Sequence, residues 1–203
     1  MEQIFPNVIF ETSFDISNIL KDVSRHYTVG LPELENRKVN GLIVTKIERI
    51  QKNLEPIKGW FEIIDTLKMN NIEFADLASQ QNLCVTLFLK DPKFPEKYFY
   101  ISISLVSTIF TVYELSEFLY QALDSTQKKY RIISSLQLSD LERHFKIELK
   151  HLFQHITAIN FNTLMNRKIE AIVPFFEDFI PGSNSYTLFE ILFDQAYPNA
   201  IIF

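Results

Sequence analysis

Three of the four histidines lie in one stretch, Leu138 to Ile156, beside a glutamate that shares their spacing. His151 and His155 are four residues apart, Glu148 precedes His151 by three, and His144 precedes Glu148 by four. On an α-helix these spacings place side chains on one face, where imidazole and carboxylate could hold zinc or iron. The stretch lacks the His-Glu-x-x-His order of metalloproteases, and a di-metal bundle needs matching motifs from other helices. We therefore favour a polar boundary stripe and expect no cofactor, with a metal site or a pH-sensitive partner surface as alternatives.

The same stretch is predicted to form one long helix over residues 138–156. Ser139 is followed three residues later by Glu142, which is the spacing of a capping box. The apolar residues recur at spacings of three and four, which places them on one stripe that could cover a sheet. That stripe comprises Leu138, Leu141, Phe145, Leu149, Leu152 and Ile156.

The single cysteine, Cys84, lies in an apolar segment that reads as a strand. A buried and inert thiol is the favoured interpretation, because a nucleophilic thiol needs an electropositive and partly exposed site. A dyad with one of the clustered histidines is the alternative. One cysteine excludes an intramolecular disulfide and is compatible with a reducing compartment.

The segment 173–197 interleaves aromatic residues with carboxylates. One interpretation is a set of core aromatics with acidic residues facing solvent. The other is a recognition surface, in which aromatic side chains anchor a partner and carboxylates steer a basic one. The candidate partner-binding residues are Glu177, Asp178, Tyr186, Glu190, Asp194 and Tyr197.

The composition narrows the function classes. The chain has 203 residues, a formal net charge of −5 and a pI of about 5.4, which disfavours nucleic-acid binding. The N-terminus does not resemble a signal peptide. The uncharged run Tyr98 to Tyr113 is shorter than a membrane helix and rich in strand-forming residues, so we predict a buried pair of strands there rather than a membrane span. No P-loop, nucleophile elbow, dinucleotide fingerprint or Cys-x-x-Cys pair is present.

The predicted fold is α+β, a helix-rich single domain over residues 1–203. A helical N-terminal part covers about 1–81, a sheet region about 83–135, and a helical C-terminal part about 138–203. Strands are predicted near 83–90, 97–105 and 108–114, and possibly at 130–134, as a small antiparallel sheet covered by helices, notably 138–156. Residues 115–124 are predicted to be helical.

The leading hypothesis for function is a non-enzymatic, soluble, cytoplasmic protein that binds and neutralises a protein partner. Its most concrete form is a bacterial immunity protein that occludes the basic site of a toxin with acidic and aromatic residues. The alternatives are a metal-dependent enzyme that uses Glu148, His151 and His155, and a structural subunit of a larger assembly. The oligomeric state stays open.

Overall fold

The computed structural model describes residues 17–26, 60–76, 84–121, 126–170 and 185–193. The helices are α1 (Ser17–His26), α2 (Trp60–Met69), α3 (Leu138–Phe145), a short 3₁₀ helix (Lys150–Phe153), α4 (Phe161–Asn166) and α5 (Leu188–Leu192). The strands are β1 (Phe74–Asp76), β2 (Cys84–Lys90), β3 (Lys97–Ser104), β4 (Ile109–Gln121), β5 (Thr126–Leu136), β6 (Thr157–Ala158), β7 (Lys168–Glu170) and β8 (Ser185–Thr187).

One six-stranded mixed sheet dominates the described part of the chain. Strands β1 to β5 follow one another in sequence order, and each neighbouring pair is antiparallel. Strand β6 pairs in parallel with the first residues of β4. Strands β7 and β8 form a separate antiparallel pair.

The helix-rich α+β prediction is therefore wrong, because among the described residues the sheet is larger and mixed and the helices are few and short. The largest error is at residues 115–121, which were predicted to be helical and instead extend β4. Each of these residues has a partner in β5, from Leu115 opposite Ile132 to Gln121 opposite Thr126. A pairing strand nearby in sequence thus outweighs the local helical pattern. The rest of that predicted helix, 122–124, lies outside the described residues.

The predicted helix over 138–156 is also wrong, since α3 ends at Phe145. Lys146 adopts a left-handed conformation (φ 56°, ψ 44°), and the Glu142 carboxylate accepts hydrogen bonds from the N–H groups of Leu149 and Lys150, both at 2.6 Å. The predicted capping box of Ser139 and Glu142 is not formed. The N-cap residue is instead Gln137, and its N–H donates to the Asp140 carboxylate. On a straight helix Ile147 would lie about 180° from Leu138. The break instead buries Ile147.

The three central strands, β2 to β4, are buried on both faces, and the two faces differ in chemistry. We call one the aliphatic face: its cross-strand rows are Val85–Ile103–Phe110, Leu87–Ile101–Val112 and Leu89–Phe99–Glu114. We call the other the hydroxyl face, and it includes Cys84, Thr86, Ser102, Ser104, Thr111 and Tyr113. Because side chains alternate along a strand, each strand contributes to both faces.

Different helices cover the two faces. On the aliphatic face, Phe145 of α3 packs edge-on against Phe99, and Phe153 of the 3₁₀ helix lies against Phe110. On the hydroxyl face, Phe161 of α4 and Phe189 of α5 both contact Tyr113. The sheet is thus enclosed between two layers.

Helix α1 lies at the β3–β4 connection, where the Ser107 hydroxyl donates to the Asp22 carboxylate at 2.8 Å. Ile19 of this helix is part of the core. Among the residues described, no helix is both long enough and apolar enough to cross a membrane.

Candidate interaction surface

The break after α3 separates the residues of the predicted metal site. Glu148 follows the helix, His151 lies in the 3₁₀ helix and His155 lies in the turn after it, and all three are exposed. The i, i+4 geometry that would have aligned them does not exist without a continuous α-helix. Within the described ranges, no three His, Cys, Asp or Glu side chains are grouped so that they could hold a metal ion.

Cys84 is buried on the hydroxyl face, where its thiol donates to the Phe193 carbonyl oxygen at 3.1 Å and lies 3.3 Å from the Thr86 hydroxyl. His144 contacts Phe99 on the aliphatic face, which is the opposite side of the sheet. His151 and His155 are exposed in and after the 3₁₀ helix, which packs on that same side. The structure does not bring the thiol and these imidazoles together.

Two of the six predicted partner-binding residues are described, and both have internal roles. Tyr186 is buried. Glu190 forms a capping box at the start of α5: its carboxylate accepts from the Thr187 N–H at 2.6 Å, and the Thr187 hydroxyl accepts from the Glu190 N–H at 3.1 Å. Tyr186 therefore contributes to the core, and Glu190 stabilises the start of α5. Glu177, Asp178, Asp194 and Tyr197 lie outside the described residues.

The acidic surface that the structure does describe lies on α2 and β1. Helix α2 buries Trp60, Ile63, Ile64 and Leu67, whose spacing places them on one face. The opposite face exposes Glu62 and Asp65, and Glu73 and Asp76 continue the exposed carboxylates into β1. Residues 60–76 contain four carboxylates and one lysine, a formal charge of −3, against −5 for the whole chain.

Met69, at the last position of α2, is 82% exposed. The turn that follows is fixed by two backbone hydrogen bonds, from Ile72 N–H to the Leu67 carbonyl and from Asn71 N–H to the Lys68 carbonyl, both at 3.0 Å. This is a Schellman motif, and Asn71 occupies its left-handed position (φ 53°), which asparagine tolerates better than most residues. The helix end therefore holds a flexible, apolar side chain at a defined place among carboxylates. We call Glu62, Asp65, Met69, Glu73 and Asp76 the α2–β1 surface.

The β2–β3 turn, residues 91–97, carries Phe94, which at 48% is the second strongly exposed large apolar side chain in the described part of the chain. The Asp91 carboxylate is 1% exposed and accepts from the N–H groups of Lys93 (2.8 Å) and Phe94 (3.3 Å). Its other oxygen lies 3.1 Å from Nε2 of His144. The Asp91 carboxylate thus links the turn to helix α3.

The far side of this turn is held by Lys97, whose Nζ lies 2.8 Å from the Glu114 carboxylate. This hydrogen bond is the main reason that the pKa of Lys97 is raised above its usual 10.5; burial acts in the opposite direction, and attraction to Asp91 and Glu96 adds to the rise. The Ser134 hydroxyl donates to the second Glu114 oxygen at 3.3 Å. Nζ of Lys97 also lies 5.3 Å from the centre of the Phe94 ring, within cation–π range.

The turn and the α2–β1 surface are neighbours. Lys90, the last residue of β2, donates its N–H to the Glu73 carbonyl at 3.0 Å, and its Nζ lies 3.2 Å from the Glu73 carboxylate. Met69 and Phe94 therefore lie at the same end of the sheet. Local sequence indicates the exposure of both side chains. Met69 directly precedes Asn70-Asn71, which end a helix, and Phe94 directly precedes Pro95 in a turn that begins Asp91-Pro92.

A shallow depression beside α4 is lined by Asn160, Asn162, Thr163, Asn166 and Arg167. Most of these side chains are exposed, and the Asn160 side chain already caps α4 by accepting from the Asn162 N–H at 2.9 Å. The depression therefore lacks the buried, convergent polar groups of a small-molecule site.

Comparisons of the chain with protein-family models, with curated proteins and with solved structures found no match.

Proposed function

We propose that this chain is a non-enzymatic binding protein that neutralises a basic protein partner, and that the α2–β1 surface is its interface. The observation that carries the proposal is the exposed Met69 on the helix face that also carries the exposed carboxylates Glu62 and Asp65, while the opposite face is anchored in the core. The most concrete form is an immunity protein in the bacterial cytoplasm that covers the basic site of a toxin.

The acidic side chains would act first, by steering a basic partner towards this face. Glu62 and Asp65 are exposed on the outer side of α2, and the Asp65 side chain retains 69% of its accessible surface although Lys68 Nζ lies 4.0 Å away. Such rim charges change the association rate and its salt dependence more than they change the dissociation rate.

Met69 would act second, as an apolar contact at the helix end, on the face that carries Glu62 and Asp65. A thioether side chain adapts its shape to the surface that it meets, because it has three rotatable bonds. The Schellman motif fixes its backbone, so only the side chain has to be ordered on binding.

The test begins with capture of a partner from the native host at low and at moderate salt. The captured protein must be basic, and the purified pair must bind in a 1:1 ratio with an association rate that falls as salt is raised. The variant Glu62→Lys with Asp65→Lys should associate about tenfold more slowly or worse at low salt. The matched control is Glu148→Lys, an exposed carboxylate in the segment after α3, and it should associate like the wild type.

Equal binding by the double reversal and by the control would refute the α2–β1 surface as the interface. Recovery of no stoichiometric basic partner at either salt concentration would refute the proposed function itself.

A further inference from the structure

The β2–β3 turn is built more rigidly than an exposed loop requires. Its backbone is closed by hydrogen bonds from Asp91 N–H to the Lys97 carbonyl (3.0 Å) and from Lys97 N–H to the Phe94 carbonyl (2.8 Å). Pro92 and Pro95 restrict φ on either side of the Lys93–Phe94 pair. The most constrained residues of the turn thus surround its exposed aromatic ring.

The Asp91 carboxylate connects this turn to helix α3. Its buried oxygens accept from two amides of the turn and face Nε2 of His144. The imidazole is held in place in turn, because its ring packs on Phe99 at 4.7 Å and against Phe145 at 4.9 Å between ring centres. A side chain on α3 therefore fixes the conformation of a turn that precedes it by about fifty residues.

The charges of the turn alone favour neither a basic nor an acidic partner. Asp91 and Glu96 balance Lys93 and Lys97, and Lys97 is already paired with Glu114. The neighbouring α2–β1 surface supplies the net negative charge, and it adjoins the turn through the Glu73–Lys90 contact. The turn can thus add an apolar contact to that surface without repelling a basic partner.

We propose that Phe94 is an anchor that enters an apolar pocket beside the basic site of the partner, and that Asp91 and His144 are positioning residues that hold the turn in its binding conformation before the partner arrives. The proposal rests on the proposed function and specifies the partner further: a basic surface with an adjacent pocket of aromatic size. Aromatic residues are enriched among the few that dominate binding energy, and a conformation fixed beforehand lowers the ordering cost of association.

The test for the anchor uses Phe94→Ala against the captured partner. We expect the dissociation constant to rise about tenfold or more, mainly through faster dissociation. The matched control is His151→Ala, an exposed residue outside the turn, which should bind like the wild type.

The test for the positioning residues has a readout that needs no partner. His144→Ala should speed hydrogen exchange of the Lys93 and Phe94 amides in the unbound protein, and His144→Gln, which keeps a donor on the side chain, should restore much of the protection. His144→Ala should also speed dissociation of the partner, but it should add little in a Phe94→Ala background, because it acts through the same contact.

The outcomes separate the two proposals. Unchanged exchange in His144→Ala refutes the positioning role. Unchanged affinity in Phe94→Ala refutes the anchor, while the charge reversal on α2 still decides the α2–β1 surface. Additive effects of the two substitutions refute the link between His144 and Phe94. If no basic partner is captured, the proposed function fails and the anchor fails with it, whereas the exchange data still decide the positioning role.

Discussion

The two faces of the central strands are equally well buried, yet they are built from different side chains. The aliphatic face consists of Val, Leu, Ile and Phe side chains packed against one another, with one charged residue, Glu114, at its end. The hydroxyl face carries a row of Thr86, Ser102 and Thr111 directly across three strands, all of them 2% exposed or less. The same strands therefore contribute to two core layers: one is held by apolar packing, and the other by packing together with hydrogen bonds.

Most polar groups of the hydroxyl face are compatible with burial because they bind one another or the end of a helix, whereas the Thr111 hydroxyl is buried without a hydrogen-bond partner among the described residues. The Ser102 hydroxyl lies 3.2 Å from the Thr86 hydroxyl and 3.5 Å from that of Tyr113. The Ser104 hydroxyl donates to the Leu192 carbonyl at 2.9 Å, and the Cys84 thiol donates to that of Phe193. The last carbonyls of a helix lack partners within it, so the end of α5 and the sheet satisfy each other. The difference teaches that a buried polar pair, here Cys84 and Ser104, can satisfy the end of a helix that docks on a sheet, which an aliphatic pair cannot do.

The largest effect that we expect comes from the apolar contacts between α5 and the hydroxyl face. Phe189→Ala removes a ring that is 0% exposed and contacts Tyr113, Phe161 and Phe193, so it should lower the free energy of unfolding by about 3–5 kcal/mol. Denaturant unfolding measures it, with Met69→Ala on the surface as a control that changes stability by less than about 0.5 kcal/mol. A loss below about 1 kcal/mol would show that this layer is not part of the cooperative core.

A second test compares the faces directly. Ser102→Ala removes a hydrogen-bonding partner of both Thr86 and Tyr113 and should cost about 1–3 kcal/mol. Ile101→Val, its neighbour on the aliphatic face, should cost about 0.5–1.5 kcal/mol. If Ser102→Ala proves neutral or stabilising, the hydroxyl row contributes only its shape, and the two faces are equivalent in energy.

The attachment of α5 also depends on its first turn. Thr187→Ala should cost about 1 kcal/mol, because the hydroxyl accepts from the Glu190 N–H and the capping box is lost. Thermal unfolding of this variant beside Thr163→Ala, an exposed threonine of α4, gives the measurement and its control. Equal stability of the two variants would contradict the role of the cap.

The smallest expected effect lies at the polar end of the aliphatic face. Lys97→Met should cost about 1 kcal/mol near neutral pH, since the lysine is about one-third exposed. Because folding raises the pKa of Lys97, its contribution is fully present below the unfolded value of 10.5 and is lost as pH rises through the folded pKa. The difference in unfolding free energy between the wild type and this variant should therefore narrow above about pH 10.5. A difference that stays constant into the alkaline range would contradict the Lys97–Glu114 bond as its cause.

The sequence predicts β2 and β3 well and contains the helical spacing of α2, because these features depend on local patterns. Strands were expected near 83–90 and 97–105, and β2 and β3 occupy Cys84–Lys90 and Lys97–Ser104. The apolar spacing of Trp60, Ile63, Ile64 and Leu67 is that of the buried face of α2. In both cases the side chains that set the pattern are neighbours along the element.

The failures come from contacts that the local pattern of apolar residues does not show. The apolar stripe of 138–156 fits a helix, but it does not account for Ile147, which is buried only if the chain turns after Phe145. Tyr186 and Glu190 are residue types that are common in interfaces. Whether such side chains contact a partner or the rest of the protein depends on which of them face the core, and the sequence does not show this. The exposure of Met69 and Phe94 depends in the same way on what packs around them.

The bonds between the hydroxyl face and α5 join residues far apart in the chain: 109 positions separate Cys84 from Phe193, and 88 separate Ser104 from Leu192. Strands β2 to β5 form by short connections, so the meander can assemble before the α5 segment has been synthesised. We expect Phe189→Ala to accelerate unfolding with little change in the folding rate, which stopped-flow kinetics would show. A row of hydroxyl groups fits this order of events, because hydroxyl groups can bind water until the helix that covers them docks.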